Sequence, residues 1–153
     1  MALADYLSED VVCMDLLSQK RTEVIRALLE MLVAGKRMPA KLVDRALGAI
    51  LDREKLGSTA IGRGVAVPHA RMEELDKVLV AFGFSARGVE FNALDTKPVH
   101  EVFLVIAPKA GADEYLDLME RITRLVQNDD FRRFVSRAKG AKEVMELIKE
   151  MER

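Results

Sequence analysis

A chain of 153 residues, 50% apolar and 32% charged, has the size and balance of one water-soluble globular domain, expected here to span residues 1–153. A formal net charge of −1 offers no footprint for nucleic acid or for insertion at an anionic membrane, and no apolar run approaches bilayer length. The acidic start MALADYLSEDVV is not a signal peptide, and the lone Cys13 allows no internal disulfide, so a cytoplasmic, reducing setting is expected.

VVCMDL (11–16) reads as a short edge strand. Ser18 is placed to cap a helix over about 19–34, whose Val24, Ile25, Leu28, Leu29 and Leu32 keep helical spacing and which Gly35 ends. Pro39 suits the first turn of a second helix with a stripe of Leu42, Val43, Leu47, Ile50 and Leu51, fraying near Lys55. VAVPH, KVLVAFGFS (77–85) and HEVFLVIAP (100–108) are rich in Val, Phe and Leu and predict strands. VFLVIA (102–107) shows no alternation, which puts it centrally with both faces covered. ARGVEFNALDTKP (86–98) carries turn residues and at most a very short strand. Asp113 can cap a helix holding Leu116, Met119, Ile122, Leu125 and Val126. Asn128–Asp130 interrupt it before FRRFVSRA, and Gly140 separates a last helix, AKEVMELIKEM. Helices, then strands, then helices predict an α/β (α+β) fold: a mixed, partly antiparallel sheet with helices on its faces.

The segment IGRGVAVPHAR (61–71) ends on one of only two histidines. A neutral imidazole is a good nucleophile near pH 7 and can take a phosphoryl group on one nitrogen while the other is held. Such a site needs an oriented ring and donors for the equatorial oxygens. Pro68 stiffens the approach to His69, and Gly62 and Gly64 let the backbone turn or come close to another strand. Arg53, Arg63 and Arg71 offer forked donors, and Ser58 and Thr59 offer hydroxyls. Glu54 reads as a helix-end charge, His100 as a strand-end residue, and the basic run Arg132, Arg133, Arg137, Lys139, Lys142 as a solvated face. Two histidines and one cysteine leave no metal-ligand spacing, and neither a dinucleotide nor an ATP loop is present, so no cofactor is expected.

REKLGSTAIGRGVAVPHAR (53–71) resembles the signature segment of the mannitol/fructose-type enzyme IIA domains of the bacterial sugar phosphotransferase system and of their nitrogen-regulatory relatives. Arg53, Glu54, Thr59, Gly62, Gly64, Ala66, Pro68 and His69 carry it, and the likeness extends over nearly the whole chain. The resemblance implies that His69 is phosphorylated by an HPr-like phosphocarrier protein, with Arg53 beside the ring. The group then passes to a cysteine of a IIB domain in sugar-transporting members, or sets the binding of regulatory target proteins in the others. Members usually carry a second histidine in a His-Leu pair opening the helix after the central strand. Here that pair is Tyr115-Leu116, and a tyrosine can donate a hydrogen bond but carries no positive charge. The expected phosphate neighbours are therefore Thr59, Arg71 and Tyr115. A regulatory phosphohistidine carrier is the leading reading. A sugar-specific IIA component and a binding module that has lost phosphotransfer are the alternatives, with an unrelated hydrolase using His69 as base ranked well below.

Overall fold

The computed structural model describes residues 1–152, the Ile61 side chain aside. Six strands form one mixed sheet: β1 (Val12–Cys13), β2 (Ala60–Gly62), β3 (Val65–Ala66), β4 (His69–Met72), β5 (Leu79–Val89) and β6 (Val99–Pro108). The order is β1-β5-β6-β3-β2, with β4 also paired to β6. β5 and β6 are antiparallel, whereas β1 runs parallel to β5, and β3 and β4 run parallel to β6. β6 is thus the central strand that its unbroken apolar run predicts, with Val102 to Ala107 fully buried.

Two helices, α1 (Arg21–Ala34) and α2 (Val43–Lys55), pack against β5 and β4 respectively. Three more follow the sheet: α3 (Ala112–Val126), α4 (Asp129–Arg137) and α5 (Ala141–Met151). The predicted stripes of α1 and α2 are buried, apart from the half-buried Leu51. In the core, Phe82 and Phe103 face each other across β5 and β6 with ring centroids 4.6 Å apart, and Phe131 of α4 stacks on Phe103 at 6.4 Å. Such pairs add to the burial of large apolar surfaces that drives the fold.

Several local expectations are corrected. Ser18 does not cap α1. Residues 19–20 are drawn against the end of β5, Glu90 N donating to the Gln19 carbonyl and Lys20 bridging Glu90, so the helix starts at Arg21 with Lys20 at its cap. Ser18 instead accepts from Lys20 N and donates to Glu23. Pro39 precedes a short 3₁₀ turn (Ala40–Leu42), and the α-helix begins only at Val43. α3 begins after Gly111, whose φ is 76°, and Asp113 lies in the first turn without capping it. The interruption at 128 is itself a cap: the Asn128 side chain accepts from Asp130 N and Phe131 N.

The segment 86–89 is strand rather than turn. β5 runs through Val89 because a bulge absorbs its turn residues: the register shifts between Phe84 and Val89, and Gly88 takes a φ of 93°. The buried Ser85 hydroxyl accepts from Gly88 N, and His100 of β6 bonds the Ser85 carbonyl through Nδ1 at 2.7 Å, which locks the bulge and gives His100 the strand-residue role expected of it. VAVPH is likewise two strands. β3 and β4 both line the same edge of β6, and Val67-Pro68 forms the joint between them. β2 is a strand that composition does not reveal. It turns into β3 through Gly62, Arg63 and Gly64, all at positive φ (100°, 59° and 79°).

Candidate active site

His69 is the first residue of β4, opposite Val105 of β6. Three bonds fix its approach. Val67 N donates to the Thr59 carbonyl (3.2 Å), Val105 N donates to the Pro68 carbonyl (3.0 Å), and the ring Nδ1 lies 2.7 Å from the Val67 carbonyl. A carbonyl oxygen can only accept, so Nδ1 carries the hydrogen and Nε2 keeps its lone pair. The half-buried ring is thereby oriented and its free nitrogen is the nucleophilic one. Burial and, to a smaller extent, the Arg53 charge hold its pKa below the usual imidazole value, against the opposing effects of the Val67 bond and Glu54. Burial and the Arg53 charge both favour the neutral ring, the form that can act as a nucleophile.

Arg53 comes from the last turn of α2. Its guanidinium donates to the Gly57 carbonyl (2.8 Å), and its charge acts on both His69 and Tyr115. Tyr115 comes from the first turn of α3, with its ring centroid 6.3 Å from that of His69. Burial raises its pKa above the ordinary phenol value, while Arg71 and Arg53 pull the other way, so it stays a neutral hydroxyl. Arg71, two residues along β4, lies over the Tyr115 ring at 5.3 Å and donates to the carbonyls of Pro108 and Lys109. Two helix ends and one edge strand thus bring Arg53, His69, Arg71 and Tyr115 together. A neutral nucleophilic nitrogen within the field of the Arg53 guanidinium suits attack on an anionic, electrophilic phosphorus.

Three sequence-nominated donors are committed elsewhere. Arg63 donates to the Gln127 carbonyl (3.2 Å) and lies near Asp129. That is the far end of α3, about 18 Å along the helix from Tyr115 at 1.5 Å per residue. Ser58 donates to the Phe91 carbonyl (2.7 Å). Thr59 is buried and its hydroxyl donates to the Glu54 carboxylate, so its part is to hold the loop from behind rather than to present a free donor.

Glu54 is the residue most misread from sequence. It is no solvated helix-end charge. Only 4% exposed, it accepts from both the backbone N and the hydroxyl of Thr59, with Arg21 3.6 Å away as counter-charge. A relay of bonds therefore runs from Glu54 to Thr59, from the Thr59 carbonyl to Val67, and from the Val67 carbonyl to His69. The signal was in the spacing: Val43, Leu47, Ile50 and Glu54 follow one buried stripe. Thr59→Val should cost about 2 kcal/mol in urea denaturation, the usual loss for a buried hydrogen bond to a charged group. A loss under about 0.5 kcal/mol would mean that the carboxylate is satisfied without the hydroxyl.

Two other charges are hidden from sequence patterning. Glu101 of β6 is 4% exposed, and its Oε1 has no hydrogen-bond partner among the described residues. Burial raises its pKa to about 7, with Arg132 opposing. Arg132 is not part of a solvated face: its side chain is 15% exposed and donates to the Val126 carbonyl and to Asp129. Glu101 shares the face of Val99 and Phe103 by strand alternation.

Comparison with known proteins agrees with this architecture. Residues 5–151 match the family model described as "Phosphoenolpyruvate-dependent sugar phosphotransferase system, EIIA 2". The chain is 32% identical to the fructose-specific EIIA component of Haloferax volcanii over 83% of its own length and 81% of the relative's. It is 30% identical to a nitrogen regulatory protein of Bradyrhizobium diazoefficiens over 80% of each. The fold matches the crystal structure of nitrogen regulatory protein IIA-Ntr from Neisseria meningitidis with a TM-score of 0.86 at 24% identity, covering 95% of this chain and 98% of that one. With nearly its whole length inside the family model and its fold shared, the chain belongs to the type 2 enzyme IIA family of the phosphoenolpyruvate-dependent sugar phosphotransferase system.

Proposed function

We propose that this chain is a cytoplasmic phosphohistidine carrier in which Nε2 of His69 takes a phosphoryl group from an HPr-like phosphocarrier protein. The observation that carries the reading is the bond from Nδ1 to the Val67 carbonyl, which leaves a neutral, oriented Nε2 beside Arg53. Nε2 attacks phosphorus in line. The new N–P bond forms as the N–P bond of the donor's phosphohistidine breaks, and the electron pair returns to the donor ring. Arg53 neutralises charge on the equatorial oxygens, and Arg71 adds to the local positive potential through its place over Tyr115. Among the described residues no helix is long and apolar enough to cross a membrane, in keeping with a carrier that meets its partners in water.

The role assigned is regulatory: the phosphorylation state of His69 sets which target protein is bound. The likeness to nitrogen regulatory proteins supports this. The likeness to a fructose-specific EIIA component supports the second reading, delivery to a cysteine of a IIB domain. Incubation with phosphoenolpyruvate, the first enzyme of the system and its phosphocarrier should add one acid-labile phosphoryl group by intact mass, mapped by fragmentation to His69. No label with a demonstrably charged phosphocarrier, or a label on another residue, would overturn the carrier reading. A purified IIB domain added next separates the two roles, since only the sugar-specific one discharges onto it.

Tyr115 occupies the place where the family resemblance leads one to expect a second histidine, and it supplies no positive charge. Tyr115→His should raise the rate of labelling about tenfold by adding a chargeable donor beside the transferring group. An unchanged rate would show that Arg53 and Arg71 already supply all the stabilisation the site uses.

A further inference from the structure

The outer faces of α4 and α5 leave an open groove of ≈ 400 Å³ whose floor is apolar. Phe134, Ala138 and Leu147 line it, and Phe134 is 44% exposed, one of the few large apolar side chains left in water. One bank is a row of carboxylates: Glu143, Glu146 and Glu150 at helical spacing along α5. Glu143 caps the backbone N of Lys139, whereas Glu146 and Glu150 form no ion pair among the described residues. Arg137 lies on the other bank, and Arg133 covers the Phe134 ring at 5.2 Å while bonding Asp130.

We infer that this groove docks a basic amphipathic helix of a partner protein, at a place separate from His69. Size and charge both select that occupant. From Glu143 to Glu150 the groove is about 10 Å long, two turns of helix, which takes apolar anchors at i, i+3 or i+4, and i+7. Lysines or arginines flanking those anchors would meet the unpaired carboxylates. A second copy of this chain would bring its own glutamate row to the contact together with Arg133 and Arg137, a poorer match than an all-basic helix, and an anionic lipid or nucleic acid would be repelled by Glu146 and Glu150. α5 packs on β1 at one edge of the sheet, whereas His69 lies on β4 beyond β5 and β6. Three strand spacings, about 14 Å, separate those edges. A partner held at α4–α5 therefore leaves the His69 surface open. Nothing in this inference depends on the chemistry at His69, so a failure of either idea leaves the other standing.

The probe is a synthetic, end-blocked helical peptide with leucines at a and d spacing and lysines on both sides of them, titrated into the isotope-labelled chain by two-dimensional NMR. The peptide should shift resonances of Phe134, Ala138, Leu147 and Glu150, and a version with glutamates for lysines should not bind. Phe134→Ser should weaken binding about tenfold without changing any charge, and Glu146→Lys with Glu150→Lys should do the same. Both sets alter exposed side chains, and circular dichroism verifies their folding. Three results overturn the inference. One is no binding. Another is binding that the charge changes abolish and Phe134→Ser leaves intact, which is diffuse attraction. The third is a concentration-dependent dimer in sedimentation equilibrium that Phe134→Ser abolishes, which gives the groove to a second copy.

Discussion

His69→Ala should remain unlabelled when the phosphoenolpyruvate-driven system charges the native chain, and Arg53→Met should be labelled about 10²–10³-fold more slowly. The two losses have different causes. Alanine removes the only nitrogen that the joint at Val67-Pro68 presents. Methionine keeps the stem of Arg53 and removes the guanidinium that, on the proposed mechanism, would meet the charge spreading in the transition state. A purely structural part for Arg53, through its bond to the Gly57 carbonyl, would make the same change lower stability and leave the rate of the folded fraction alone. A second readout separates these. Arg53 is one of the charges that depress the His69 pKa, so Arg53→Met should move the histidine's NMR titration upward. An unmoved titration together with an unmoved rate would remove Arg53 from the site. Arg53→Lys should recover only part of the rate, since an ammonium cannot present the two parallel donors of a guanidinium.

Glu101→Leu should stabilise the chain by on the order of 3 kcal/mol above pH 8 and by much less near pH 5. The sign follows from where the proton goes. A glutamate carboxyl in water titrates near 4.5, and burial moves that of Glu101 to about 7 in the folded chain. Between those values the folded state holds a proton that the unfolded state has released. Stability therefore falls as pH rises from 4.5 through 7, and the full penalty is present above 7. The cause is burial with an unpartnered Oε1, and Arg132 offsets only part of it. Leucine removes the ionisable group and fits a face already made of Val99 and Phe103. Arg132 keeps its partners at Val126 and Asp129, so no charge is orphaned. Urea denaturation at about pH 5 and about pH 8 decides it. An equal gain at both would assign the effect to packing, and a native chain insensitive to pH over that range would refute the burial argument.

The architecture was legible where apolar periodicity is long. The stripes of α1 and α2 and the unbroken run of β6 name the core and the central strand because burial needs those patterns. Element ends were less legible because tertiary bonds set them. The pairing of residues 19–20 with Glu90 overrides Ser18 as a cap, and the bulge locked by Ser85 and His100 carries β5 through residues that read as turn. At the site, Pro68-His69 and Arg53 stand out by residue type. Glu54 does not, because a buried carboxylate breaks the rule that charges face water, and only its place in the α2 stripe betrays it. Arg63 and Ser58 were nominated for being near in sequence, which says nothing of where a β-turn sends a side chain.

The bond between Nδ1 and the Val67 carbonyl has a consequence for proton bookkeeping. A ring that keeps its Nδ1 hydrogen while Nε2 gains a phosphoryl group becomes a cation. A cationic azole is a good leaving group, and when the phosphoryl departs the ring returns to the neutral tautomer it started from. Charging and discharging then need no proton to cross between residues. On the proposed mechanism the carbonyl that orients the ring would also stabilise its charged state, and transfer in either direction would need no general acid.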